Sequence, residues 1–213
     1  YKQVTGEDPV SVVEMPSSGS NRRYFRLSGV QSLGGAVGTC VEENRAFISI
    51  AQHFAERGLP VPKVVACSED EMVYLQQDLG DNTLFAAIEK GRATSVFGED
   101  ERQILRQTIR LLPDIQFSGA VGLDFSVCYP LPEFDSRTIL WDLNYFKYCF
   151  LKATGLEFKE DKLETDFQAM VEVLMRSQSS TFMYRDFQSR NIMIKDNHSY
   201  FIDYQGFFCK CVS

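Results

Sequence analysis

The sequence has few histidines and no closely spaced pairs of cysteines of the kind that bind zinc. His53 and His198 lie far apart, and of the six cysteines only Cys209 and Cys211 are near neighbours. A structural zinc site needs four such ligands, usually supplied in tight pairs. The pattern argues against a zinc domain, and scattered cysteines of this kind favour reduced thiols, as in a cytoplasmic protein.

Clusters of basic residues and long apolar runs are also absent. The chain has 22 Lys and Arg against 29 Asp and Glu, which gives a net charge of −7. Nucleic acids and anionic membranes attract basic stripes, so we expect neither as the main partner. No apolar run approaches the roughly 20 residues of a membrane span, and residues 1–4 lack the layout of a signal peptide. These absences predict a cytoplasmic protein.

What is present is an ordinary globular composition. Of 213 residues, 44% are apolar and 24% are charged. A chain of this length buries enough surface for one large domain or two lobes.

The most informative stretch is an acidic loop near the end of the chain. Asp186 and Asn191 stand five residues apart, and Asp203 follows Asn191 after twelve more. Residues 192–194 and 200–202 read as short apolar strands around a turn-forming segment, residues 196–199, so we expect a hairpin whose ends meet. The hairpin would bring Asp203 beside Asn191.

These residue types suit the transfer of a phosphoryl group. One carboxylate orients the acceptor hydroxyl, and an amide oxygen with a second carboxylate holds Mg²⁺ against the nucleotide. We therefore assign Asp186 to the hydroxyl and Asn191 and Asp203 to the metal. Gln188 is expected near the transferred group, and Arg190 is expected to stabilise the loop. A solvated Asp-rich hairpin is the simpler alternative for the same residues.

This stretch resembles the catalytic loop and metal motif of the aminoglycoside phosphotransferase and choline kinase superfamily. The wording Arg-Asp-Phe-x-x-Arg-Asn followed by Asp-Tyr-Gln looks most like the sugar 1-kinases that recycle cell-wall amino sugars. The resemblance implies an α+β, two-lobed protein-kinase-like fold, with a small antiparallel β lobe carrying one helix and a larger, mainly helical lobe. One departure is Tyr184, which stands where the family usually has a structural His.

The segment from Ser17 to Asn21 is small and polar and runs into a strand that starts near Arg22. Such a loop brings backbone N–H groups close to phosphates, and it resembles the nucleotide-covering loop of the sugar kinases. On that basis Ser18, Gly19 and Ser20 are assigned to the nucleotide. An ordinary hairpin loop is the alternative.

A helix is predicted from about residue 41, with Phe47, Ile50 and Phe54 on one face and Gly58 ending it. In protein kinases this helix carries a Glu that pairs with a strand Lys gripping the phosphates. The equivalent here is Glu43, with Glu42 as the alternative. Both also suit a helix's first turn as acids.

The Lys itself is missing, because no Lys or Arg occurs between Leu27 and Glu42. Three explanations stay open: Arg23 or Arg26 reaches the phosphates, the given sequence is shorter here than the intact chain, or activity is lost. We favour Arg23 or Arg26 as the phosphate-binding cation.

Residues 63–67 and 72–75 read as strands, and Gln76 and Gln77 lead into a short polar link ending in Gly80. We expect the backbone of residues 75–77 to dock adenine, which adds Gln76 and Gln77 to the nucleotide site. The resulting division is a nucleotide-binding lobe (1–76), a hinge (77–80) and a catalytic, mainly helical lobe (81–213).

In the second lobe, helices are predicted over residues 99–117, 140–154 and 163–177 from apolar periodicity. The segment 140–154 is aromatic almost all round, so it is expected to be buried. Asp142 within it would make a structural hydrogen bond or face an acceptor hydroxyl.

Taken together, the sequence and the resemblance predict an ATP- and Mg²⁺-dependent kinase that phosphorylates a hydroxyl of a small molecule, such as an amino sugar. The alternative is a nucleotide-binding pseudokinase or interaction module without catalysis. A protein kinase is disfavoured because no Ala-Pro-Glu segment follows the metal motif.

Overall fold

The computed structural model describes residues 1–16, 21–176 and 181–204. Its N-terminal part is built around one antiparallel sheet. Five strands lie in the order β1-β2-β3-β5-β4, and every neighbouring pair is antiparallel. A single turn of helix, α1 (Lys2–Thr5), precedes them. The strands are β1 (Ser11–Met15), β2 (Arg23–Ser28), β3 (Leu33–Val37), β4 (Val64–Cys67) and β5 (Val73–Gln77).

One long helix, α2 (Val41–Glu56), accompanies this sheet. Its predicted apolar face is buried, with Ile50 and Phe54 fully inaccessible and Phe47 nearly so. The helix ends where Gly58 takes a left-handed φ of 71°, a conformation that favours glycine. Sheet and helix together form the small lobe that the sequence predicts.

The rest of the chain is mainly helical and carries one hairpin. The helices are α3 (Leu84–Ala87), α4 (Glu89–Thr94), α5 (Glu99–Pro113), α6 (Ser136–Phe146) and α7 (Glu160–Met175). Single π turns extend α5 over Asp114–Ser118 and α6 over Lys147–Leu151. The hairpin consists of β6 (Ile192–Lys195) and β7 (His198–Phe201). The mixed architecture confirms the predicted fold class.

A continuous core joins the two parts. Phe54 of α2 meets Phe182 edge-on at 5.0 Å between ring centroids, and it lies 5.5 Å from Tyr204. Ile192 and Phe201 of the hairpin belong to the same buried cluster. The small-lobe helix therefore packs directly against the segment that carries the acidic motif.

The expectation that residues 140–154 are buried was wrong. Trp141, Tyr145, Tyr148 and Phe150 are all more than half exposed. Apolar periodicity shows which residues avoid water on average, but it does not show whether a neighbour covers them. On the adjoining α7, Val173 and Leu174 are also exposed.

The cysteines depart from expectation at one position. Cys40, Cys67 and Cys149 are free thiols, as the sequence predicts. Cys128, which is buried, is disulfide-bonded, so the expectation of uniformly reduced thiols was wrong there.

Within the described residues, none of the helices combines the length and the apolar character needed to cross a membrane.

Candidate active site

Tyr184 fixes the start of the acidic loop. The single proton of its hydroxyl is shared between the backbone carbonyl of Asn191, at 3.1 Å, and that of Ile202, which directly precedes Asp203. Its ring packs edge-on against Phe187 and Phe201, with centroid distances of 5.9 and 5.7 Å. Burial raises the pKa of Tyr184 well above its ordinary value, and the charges of Asp203 and Asp186 add to the shift. One buried phenol thus holds both halves of the motif.

The three assigned acidic and amide residues lie together. The Asn191 side-chain amide donates to the Asp186 backbone carbonyl at 3.2 Å and to the Asp203 carboxylate at 3.3 Å. Both bonds use the amide nitrogen, so neither of them occupies the Asn191 Oδ1 atom. The side chains of Asp186 and Asp203 are exposed to solvent.

The hairpin between Asn191 and Asp203 explains this proximity. Asp196 and Asn197 form its two-residue turn with φ values of 50° and 61°, the left-handed pair that a tight hairpin requires. The Ile202 N–H donates to the Asn191 carbonyl at 3.1 Å, which closes the open end. In the interior, the Ser199 and Thr108 hydroxyls share a buried hydrogen bond of 2.8 Å that ties the hairpin to α5. The predicted hairpin is therefore present. β6 begins at the predicted Ile192 and is one residue longer than expected, and β7 spans His198–Phe201 instead of residues 200–202.

Asp203 itself has a left-handed backbone, with φ of 61°. A non-glycine residue pays about 1 kcal/mol or more for this conformation, and such strain concentrates at functional sites. Tyr204, fully buried, follows directly and lies 5.5 Å from Phe47 and from Phe54 of α2. The packing of Tyr204 against α2 holds the Asp203 carboxylate at the cleft.

The loop and the sheet enclose a cleft of about 660 Å³. Its lining includes the assigned residues Asp186, Gln188, Arg190, Asn191, Asp203, Arg26, Gln76 and Gln77. The volume suits a small organic ligand. The sequence-predicted residues therefore come together, with the exceptions given below.

Gln76 contributes a polar atom to the wall of this cleft. Its side-chain Oε1 is buried and has no hydrogen-bond partner among the described residues. A buried acceptor of this kind costs free energy unless it is paired. The atom is thus available to a donor on a bound ligand.

Arg190 stands over the ring of Phe85, with its guanidinium carbon 3.6 Å from the ring centroid. A cation over an aromatic face is attracted to it, so this contact restrains the Arg190 side chain. The loop-stabilising role expected for Arg190 stays a prediction. The neighbouring Arg185 pairs with Asp142 of α6, so Asp142 serves as an ion-pair partner of the loop.

The carboxylate of Glu43 pairs with Arg22, a cation that the sequence did not indicate as its partner. Arg22, with its side chain 2% exposed, lies 3.2 Å from the Glu43 carboxylate. Its Nε donates to the Asn44 side chain at 3.1 Å, and Asn44 in turn donates to the Glu71 carbonyl at 2.8 Å. Glu42, the alternative, accepts only from Cys40 among the bonds described. The buried pair is Arg22 and Glu43.

The two arginines favoured from sequence have other partners. Arg23 is exposed, pairs with Glu14 at 2.9 Å, and does not line the cleft. Arg26 lines the cleft but pairs with Asp78 at 2.9 Å and with Asp81 at 2.8 Å. That guanidinium holds the pKa of the Asp81 carboxyl below its ordinary value. Ser18, Gly19 and Ser20 lie outside the described residues.

The donor set fits a magnesium nucleotide in its chemistry. Mg²⁺ prefers oxygen ligands and keeps water or phosphate oxygens in most positions, so one carboxylate and one amide oxygen suffice. Among residues 1–16, 21–176 and 181–204, no group of three or more His, Cys, Asp or Glu side chains is arranged to hold a metal ion. Asp203 and Asn191 are the residues suited to this purpose.

The chain is similar to known phosphotransferases and kinases. The model of a phosphotransferase enzyme family matches residues 12–208. An N-acetylmuramate/N-acetylglucosamine kinase of Pseudomonas aeruginosa is 26% identical over 203 residues, which cover 92% of this chain and 55% of that protein. The kinase of the same name from Neisseria meningitidis is 27% identical, over 86% of this chain and 53% of that protein. The chain thus spans about half the length of these relatives.

Solved structures show the same fold. A GDP complex of an aminoglycoside 2′-phosphotransferase superposes with a TM-score of 0.66 at 13% identity, covering 99% of this chain and 70% of the other. A gentamicin complex of a related aminoglycoside phosphotransferase gives 0.65 at 14% identity, covering 95% and 67%. The family match spans both the sheet and the acidic loop, and we conclude that this chain belongs to the phosphotransferase enzyme family.

Proposed function

We propose that the protein is a kinase that transfers the γ-phosphoryl group of ATP to a hydroxyl of a small molecule, with an amino sugar as the favoured acceptor. The observation that carries the proposal is the junction of Asn191, Asp203 and the Asp186 loop at the mouth of a nucleotide-sized cleft. The acceptor class is supported by the two relatives from Pseudomonas aeruginosa and Neisseria meningitidis, both of which are N-acetylmuramate/N-acetylglucosamine kinases.

Asp186 orients the acceptor hydroxyl and takes its proton late in the reaction, because an alcohol's pKa is too high for it to ionise beforehand. Asn191 Oδ1 and the Asp203 carboxylate would hold Mg²⁺, which neutralises the phosphate charge when bound. Gln188 lines the same cleft, which is consistent with a role beside the transferred group, and Arg190 contacts Phe85 and would keep the loop in place.

Arg22 and Glu43 form the buried ion pair of the small lobe. Arg22 is too deeply buried to offer its whole guanidinium to a ligand. Its role is to fix the start of α2 beside β2. Arg26 is the cation that lines the cleft, and nucleotide phosphates would compete with Asp78 and Asp81 for it.

The test is release of ADP over a panel of acceptors: N-acetylmuramate, N-acetylglucosamine, aminoglycosides and choline. We expect turnover with an amino sugar and a loss of about 10³-fold or more in kcat for Asp186→Asn, since this carboxylate positions the nucleophile. Binding of Mg²⁺-ATP to that variant should stay within about threefold of the wild type, because Asp186 is not assigned to the metal.

Asp203→Asn is the matched variant. It should weaken Mg²⁺-dependent nucleotide binding by about tenfold or more, since it removes the metal carboxylate. Tight nucleotide binding with no turnover on any acceptor, unchanged by Asp186→Asn, would favour the non-catalytic alternative. No binding of Mg²⁺-ATP at all would contradict the proposal.

A further inference from the structure

A second cavity, of about 750 Å³, adjoins the segment that links the two lobes, since Gln77 and Asp78 line it. We call it the rear cavity. Its lining comes from the end of α2, from β4 and from the hairpin, and it includes the apolar side chains of Leu59, Val61, Leu111 and Tyr200. A cavity of this size accepts a compact organic molecule.

Basic side chains surround the rear cavity. Lys63, Lys195 and His198 all line it. Neither lysine makes an ion pair with any carboxylate among the residues that the structure describes. The only acid of the lining is Asp78, and its carboxylate already binds Arg26 at 2.9 Å and the Ser32 hydroxyl at 2.5 Å. Two ammonium groups without a carboxylate partner among the described residues, at one cavity of an acidic protein, make a local site for an anion.

The rear cavity and the nucleotide cleft share a wall. Gln77 and Asp78 line both. On the rear side, the Lys195 ammonium donates to the Asp78 carbonyl at 2.7 Å. On the cleft side, the Asp78 carboxylate pairs with Arg26. An anion that draws Lys195 away would leave the Asp78 carbonyl without this donor and loosen the wall of the cleft.

We propose that the rear cavity is a regulatory site for a small phosphoryl-bearing molecule, whose phosphoryl group binds Lys63 and Lys195 while its ring packs against the apolar lining. Occupation weakens nucleotide binding through Asp78. A lining that combines lysines with apolar side chains favours a sugar phosphate over free phosphate, because free phosphate uses only the lysines.

The experiment is calorimetric titration of glucose 1-phosphate into the protein, with inorganic phosphate and glucose as the other probes. We expect glucose 1-phosphate to bind more tightly than inorganic phosphate, and glucose not to bind. Lys63→Gln should weaken the binding of glucose 1-phosphate by about tenfold, the loss typical of one charge-assisted hydrogen bond. Lys162→Gln, which removes an exposed lysine of α7, is the control and should have no effect.

A repeat of the titration in the presence of a saturating, Mg²⁺-bound non-hydrolysable ATP analogue separates the two sites. If glucose 1-phosphate still binds in the presence of the analogue, more weakly than in its absence, and this binding is lost in Lys63→Gln, the result supports the rear cavity and its coupling to the cleft. By linkage, glucose 1-phosphate must weaken the binding of the analogue by the same factor by which the analogue weakens the binding of glucose 1-phosphate.

Binding that Lys63→Gln leaves unchanged, or that the analogue abolishes by direct competition in the cleft, would overturn the proposal. So would equal affinity for the analogue with and without glucose 1-phosphate. These outcomes concern the rear cavity alone, so the proposed kinase activity stands or falls separately.

Discussion

At the scale of single residues, Tyr184 joins the loop of Asp186 to the strand end before Asp203. Replacing it with Phe removes only the hydroxyl that binds two backbone carbonyls. We expect the free energy of unfolding to fall by about 1–3 kcal/mol, because buried carbonyls lose a donor. Urea denaturation followed by circular dichroism measures the loss. Tyr145→Phe, at an exposed residue, is the control and should change the free energy by less than about 0.5 kcal/mol.

The proximity of the loop residues could be predicted from the sequence. Asp186 and Asn191 are close in sequence, and the turn at Asp196 and Asn197 brings Asp203 back to them, so their proximity follows from local geometry. Arg22 was missed for the opposite reason. Its pairing with Glu43 depends on how α2 packs against β2, and nothing in the sequence distinguishes the buried Arg22 from the exposed Arg23.

At the scale of elements, adjacent arginines at the start of β2 give a direct comparison. Arg22→Met breaks a buried ion pair and leaves Glu43 and Asn44 without their partner, so we expect a loss of about 3–5 kcal/mol in unfolding free energy. Arg23→Met removes an exposed pair with Glu14 and should cost less than about 1 kcal/mol. Equal losses for the two variants, measured by urea denaturation, would contradict the assignment of Arg22 as the anchor of α2.

The hairpin turn offers a second test at this scale. Asn197→Val places a β-branched residue at a φ of 61°, and we expect a loss of about 1–2 kcal/mol in unfolding free energy. Asn197→Gly removes the strain and should be neutral or stabilising by up to about 1 kcal/mol. If Val and Gly variants melt at the same temperature, the left-handed turn is not the source of the hairpin's register.

The formation of strand β3 and the burial of helix α6 could not be predicted from the pattern of apolar residues. β3 contains Gly34 and Gly35 and has no side-chain alternation, so its residues do not predict a strand. The strand forms because β2 and β5 pair with it on both sides. The aromatic helix α6 was expected to be covered and is not, since burial depends on neighbours that the helix's own residues do not specify.

At the scale of the whole molecule, three buried tyrosines predict how stability depends on pH. Burial raises the pKa of Tyr74, Tyr184 and Tyr204 above the ordinary value. A raised pKa contributes stability that is complete below the unfolded pKa, near 10, and is lost as pH rises above it. Each such tyrosine should lower the free energy of unfolding by about 1.4 kcal/mol per pH unit in that range.

The measurement is urea denaturation from pH 8 to pH 11, together with tyrosine ionisation followed by ultraviolet absorbance. The exposed tyrosines should ionise first, and the buried three should ionise only as the protein unfolds. Complete ionisation of all nine tyrosines with the fold intact at pH 11 would show that the three phenols are not sealed from solvent.

The exposed aromatic face of α6 carries the chain's single tryptophan. Trp141 is 51% exposed, and Arg137 lies 5.6 Å from its ring centroid. Its fluorescence is therefore a reporter of the exposed surface of α6. For the uncovered face we expect emission near that of free indole, readily quenched by iodide or acrylamide. A shift to shorter wavelength, with quenching suppressed, would signal that another polypeptide surface has come to lie against α6.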